Sequence, residues 1–147
     1  MGNVPEFRDS FNLKDATLRK SNALPTADGT IYTTGIDLST LTAKGARLAD
    51  AELKIDVDDL DATQLPNGDT LTFSVLGDTV LPIDSSSVVV HAAILSMAGA
   101  DSAGDGPEHV RYKIPSDFSY RYIGLKAVAA GGTGDISGSN VVTSIVF

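Results

Sequence analysis

The chain has 147 residues, no cysteine, and 11 Lys and Arg against 19 Asp and Glu, a formal charge of −8. That length suits one domain able to bury roughly two-thirds of its unfolded apolar surface, and the lack of cysteine excludes a disulfide framework or a thiolate metal site. The acidic balance disfavours phosphate backbones and anionic lipid heads, so neither nucleic acid nor membrane is expected as a partner.

Met1 to Lys20 has scattered charges and no apolar core segment, so it does not read as a signal peptide and the protein is expected to be soluble and made in the cytoplasm. Phe7, Phe11, Leu13 and Leu18 form a weak apolar series there. Phe7 and Phe11 are spaced for one helical turn, and the segment fits an extended arm on a neighbour equally well. Pro25 and Asp28-Gly29 are turn signals. Residues 1–29 are therefore read as an arm and linker, and 30–147 as the folded domain.

From Thr30 the chain becomes strand-like. Ile31 to Leu38 is rich in β-branched and aromatic residues, with Tyr32, Thr34, Ile36 and Leu38 on one face. Ala49 to Val57 alternates apolar and charged residues with a period of two, the pattern of a strand with one wet face. After a loop carrying the Asn67-Gly68 turn signal, Thr70 to Leu76 turns Leu71, Phe73 and Val75 inward. These last two strands are expected to pair antiparallel. Val88 to Met97 is apolar on both faces and reads as a central, fully buried strand. It contains His91 and Ser96 and is about half the ~20 residues needed to span a bilayer.

Val110, Tyr112 and Ile114 alternate with Arg111 and Lys113 up to Pro115. Tyr120 to Ala129 turns Ile123, Leu125, Ala127 and Ala129 to one side. Gly131-Gly132-Thr133-Gly134 reads as a hairpin turn, and Ser137 to Phe147 as the last strand. The pattern is all-β: an antiparallel β-sandwich or jelly roll of about eight strands behind an N-terminal arm.

Residues that carry chemistry are sparse. His91 lies in the most apolar strand, where a partly buried residue with a hydrogen-bond partner is expected. His109 opens a strand and is expected at the surface, and two histidines alone do not make a zinc site. The acidic run Asp56 to Asp61 fails the EF-hand pattern, because Leu60 and Asp61 occupy the fifth and sixth positions. It reads as a solvated loop. No Gly-x-Ser-x-Gly elbow, cysteine nucleophile or phosphate-binding loop is present. The chain reads as a binding or building module rather than an enzyme, with no catalytic residue, cofactor or metal expected. Tyr112, Tyr120 and Tyr122 are the candidates for a carbohydrate platform, with core or interface packing as their ordinary use.

The C-terminal half has a recognisable order. Val110-Arg111-Tyr112-Lys113-Ile114-Pro115 precedes Tyr120-Arg121-Tyr122-Ile123-Gly124-Leu125, a glycine-rich turn, Gly138-Ser139-Asn140-Val141-Val142 and a last apolar strand. Ile36-Asp37-Leu38 and Leu71, Phe73 and Val75 stand in the matching places before it. Over about Ile31 to Phe147 this resembles the jelly-roll capsid cement (decoration) proteins of tailed bacteriophages, of the Bordetella-phage type. The resemblance implies a structural virion protein on the outer surface of an icosahedral head, made in the host cytoplasm. It implies binding to the major capsid protein, self-association as a dimer or trimer, and no catalytic residues. Two contact sets are expected: Phe7, Phe11 and Leu13 on the arm, and a basic strip of Arg111, Lys113, Arg121 and Lys126. The alternative on the same architecture is a carbohydrate-binding or adhesion module. A cupin-like enzyme is a third reading, for which the histidines are too few.

Overall fold

The computed structural model describes residues 18–39, 51–100, 104–132 and 134–146. Its strands are β1 (Arg19–Ala23), β2 (Thr30–Tyr32), β3 (Ile36–Asp37), β4 (Glu52–Val57), β5 (Thr70–Asp78), β6 (Val88–Ala98), β7 (Glu108–Lys113), β8 (Tyr122–Ala130) and β9 (Asn140–Val146). They form two antiparallel sheets in the orders β1-β9-β4-β7 and β2-β8-β5-β6, with β3 also on β8. The architecture is an all-β sandwich, and this interleaved order is that of a jelly roll.

The alternation seen in the sequence becomes the core. Leu53, Ile55 and Val57 of β4 face Leu71, Phe73 and Val75 of β5, joined by Ile123, Leu125 and Ala127 of β8 and Val141 and Ile145 of β9. A strand with period-two apolar residues must bury one face. Stacking two such sheets buries both sets at once.

β4 and β5 do not pair, contrary to the expected hairpin. β4 bonds to β7 and β9, and β5 to β6 and β8. The intervening loop is long enough to carry the chain across to the other sheet, and each strand gains two partners there. The glycine-rich segment after β8 is likewise a crossover, because β8 and β9 lie in different sheets. It is tied down by Asp69, a buried carboxylate that accepts the Gly134 N–H at 2.9 Å. Gly131 has φ +110, and a Cβ there would lie 2.3 Å from Asp69 Oδ1, so no side chain fits.

The strand expected over Ile31 to Leu38 is interrupted. β2 and β3 both pair with β8, and between them Thr33 bonds to Leu125 with its own N–H and with its hydroxyl oxygen. At the front, Arg19 to Ala23, within the segment read as arm and linker, forms β1 against β9. Leu18 packs on the core and accepts the Ile145 N–H. The sandwich therefore extends to the end of that segment. The turn at Asp28-Gly29 is present, with the Gly29 N–H donated to Thr26, as is Gly68 with φ +94.

The largest departure is β6. It forms a strand over almost the expected residues, yet it sits at a sheet edge and is mostly exposed, with Val88 at 47% and Val89 at 51%. Its pairing to β5 is shifted twice, between Phe73 and Val75 and between Val75 and Leu76. Extra residues on one strand rotate successive side chains off a common face. An apolar run therefore does not by itself place a strand inside.

Phe73 is fully buried at the centre of the core. Phe73→Ala is expected to cost about 3–5 kcal/mol of unfolding free energy, read from urea denaturation followed by circular dichroism.

Candidate functional site

An exposed apolar surface forms around the β5–β6 connection. Val80 (63% exposed), Leu81 (52%), Val88 and Val89 are the exposed large hydrophobic residues among those described. Singly exposed apolar residues are ordinary, but a group of them gathered at one connection and the start of the next strand is a candidate contact surface. All four lie within three positions of Asp78 or Ser87, whose side chains join the two ends of the connection at 2.6 Å.

That connection is held by its own polar residues. Asp78 Oδ1 accepts the N–H groups of Thr79 and Val80. Asp84 accepts the Ser86 N–H and hydroxyl, and donates its own N–H to Ser87 Oγ. The Ser87 hydroxyl, followed by the backbone bond from Val80, lowers the pKa of Asp78. Ile83 anchors the middle: it is 4% exposed and lies against Gly35 and Gly124 on the outer side of the five-stranded sheet. A Cβ on Gly124 would sit 3.0 Å from Ile83. The loop thus presents Val80 and Leu81 on a fixed frame, which lowers the ordering cost of a contact.

The strand that follows is unusual among the sheet edges. Proteins blunt edges with charge, bulges or shortness. β1 carries Arg19 and Lys20, β7 carries Glu108, Arg111 and Lys113, and β2 has three residues. β6 has 11 residues and not one Lys, Arg, Asp or Glu. Among the described residues, the device that blunts it is its shifted pairing with β5.

The basic residues do not form the strip the sequence led us to expect. Arg111 and Lys113 belong to β7 in one sheet. Lys126 lies on β8 in the other, and Arg121 immediately precedes that strand. Outward-facing residues of the two sheets point apart. Arg121 instead pairs with Asp37 through two hydrogen bonds, 3.2 Å from Nε and 3.0 Å from Nη2, and lies 5.1 Å over the Tyr122 ring. Arg111 stands 3.7 Å from Glu52. Phe7, Phe11 and Leu13 lie outside the described residues.

The remaining candidates have local partners. His109 is exposed, as expected, with Nδ1 2.6 Å from Asp56 Oδ1. His91 is exposed rather than partly buried, its ring 5.6 Å from Tyr112 across the β6–β7 corner. In the acidic run, Asp58 accepts the Asn140 N–H and Asp61 accepts from Thr63 and Gln64. Among the described residues no group of three or more His, Asp or Glu is placed to hold a metal ion. Tyr112, Tyr120 and Tyr122 are each partly buried, and Tyr120 stacks edge-on to Phe118 and covers Gly77. Among the described residues no helix is long and apolar enough to cross a membrane. Comparison with known proteins finds no family model and no curated protein that matches the chain.

Two predictions follow from these contacts. Ser87→Ala removes the bond that closes the loop, so amide exchange over 79–87 is expected to accelerate while exchange in β4 and β9 stays unchanged, read by mass spectrometry. Hydrogen bonding to Arg121 is the largest cause holding the Asp37 pKa down at about 2. A depressed carboxylate stabilises the fold fully above its unfolded value near 4 and loses that contribution as pH falls towards 2. Arg121→Ala is therefore expected to raise the midpoint of acid unfolding and to cost only about 0.5 kcal/mol at neutral pH, as exposed pairs do.

Proposed function

We propose that this protein decorates the outside of an icosahedral phage head and strengthens contacts between major capsid subunits. Three features support the reading: the jelly-roll strand order, the resemblance of the C-terminal strands to capsid cement proteins, and the exposed apolar surface on a stapled loop. The observation that carries it is the last, Val80 and Leu81 on the loop with Val88 and Val89 at the start of an uncharged edge strand. Such a surface suits a lasting protein contact more than a transient polar one.

A decorating protein gains from repetition. Many symmetry-related sites make modest individual contacts collectively strong. Free energy of binding specific to the assembled shell stabilises that shell against rupture. A dimer or trimer of the chain would match local two-fold or three-fold positions. In this reading the segment before β1, with Phe7, Phe11 and Leu13, makes further contacts with the shell or a neighbouring subunit.

Quantitative mass spectrometry of gradient-purified particles from the source culture tests the reading. A fixed simple ratio of this chain to the most abundant particle protein is expected across the peak. Val80→Asp with Val89→Asp is expected to lower occupancy by about tenfold or more, because a charge must then be buried in the contact. Removing residues 1–17, which leaves Leu18 and β1 intact, is expected to keep the melting transition while weakening particle binding. A chain found only free in the lysate overturns the proposal.

A further inference from the structure

The outer face of the four-stranded sheet carries a row of cations that the fold assembles from three separated strands. Arg19 of β1 is in register with Ser144 of β9, Ser144 with Lys54 of β4, and Lys54 with Arg111 of β7. Lys113 lies one outward position along β7, opposite Glu52, and Asp56 lies opposite His109. Among the described residues of these strands, this face thus holds four Lys or Arg against two carboxylates, in a chain where acids outnumber bases 19 to 11. Lys54 is 3.6 Å from Asp56 and Arg111 is 3.7 Å from Glu52. Arg19 and Lys113 form no ion pair among the described residues. Ser144 points outward between Arg19 and Lys54, is 1% exposed, and its hydroxyl has no hydrogen-bond partner among the described residues.

We infer that this face docks a carboxylate-bearing surface of a different protein. Its charge is opposite to that of the chain as a whole, and patterned charge of this kind steers encounter and fixes register. The interleaved Glu52 and Asp56 decide the class of partner. A continuous polyanion, such as a sulfated polysaccharide, must cross both carboxylates and meets repulsion there. A folded protein surface can set acids over Arg19, Lys54 and Arg111 and place a base or a neutral group over Glu52 and Asp56. Two copies stacked face to face about a two-fold through the row bring cation onto cation, so self-stacking by this face is opposed. Under the function proposed above, the partner is the shell subunit. That identity rests on the proposed function, whereas the carboxylate chemistry does not.

The test uses the whole chain and two kinds of probe. On an immobilised alanine-rich peptide with widely spaced glutamates, whose uncharged stretches can lie over Glu52 and Asp56, the wild-type protein is expected to be retained at low salt and then released as salt screens the contact. Lys54→Glu with Arg111→Glu is expected to bind about tenfold more weakly, while Lys126→Glu, on the opposite sheet, stays within about twofold of wild type. If the double variant unfolds, Arg19→Glu on the edge strand gives the same readout. Absent wild-type retention, an equal loss in Lys126→Glu, or stronger retention on heparin overturns the inference, the last in favour of a sulfated polysaccharide. Binding to purified particles, measured in parallel, fails on its own if the shell assignment is wrong and the charge assignment is right.

Discussion

The rest of this structure depends on β4 and β5 each burying one face against the other across two sheets. Leu53, Ile55 and Val57 supply one side and Leu71, Phe73 and Val75 the other, all fully or almost fully buried. Because the two strands belong to different sheets, the chain must cross the sandwich between them. Every later connection is then constrained: β8 joins β5, and β9 returns beside β4. Crossing loops of this kind lie at the ends of the sandwich, where Asp69, Asp58 and Asp61 hold backbone N–H groups.

The two outer faces solve different problems. On the four-stranded sheet, the outward positions of β4 are charged, and Lys54 and Asp56, two residues apart on that strand, stand 3.6 Å from each other. On the five-stranded sheet, Ile83 folds back over Gly35 and Gly124, so that part of the outer face is covered by the chain itself. This covering fixes the loop that bears Val80 and Leu81. A loop without Ile83 beneath it and without the Asp78–Ser87 bond at its base would pay ordering entropy whenever it met a partner.

The edges carry the functional argument. Three of the four edge strands are short or charged, which discourages indiscriminate pairing. β6 is long and uncharged, and its sequence alone is misleading. Val88-Val89-Val90 has the composition of a buried central strand, but composition reports only the tendency to form a strand. Position within a sheet is set by which neighbours the topology supplies. Among the described residues, β6 has β5 on one side and no strand on the other.

The sequence by itself determined the all-β class, most of the strand positions and the inward residues, since a period of two is a local property of a half-buried strand. It located the turns at Asp28-Gly29 and Asn67-Gly68 because backbone conformation there depends on residue type. It did not determine which strands pair. The apparent hairpins at 58–69 and at Gly131 to Gly134 are crossovers, because pairing depends on partners far along the chain. Nor did it determine which charges share a face: Arg111 and Arg121, ten positions apart, are separated by the sandwich, whereas Arg19, Lys54 and Arg111 stand in one row. Only tertiary structure brings such residues together, since register across a sheet is fixed by hydrogen bonds between strands and not by distance along the chain.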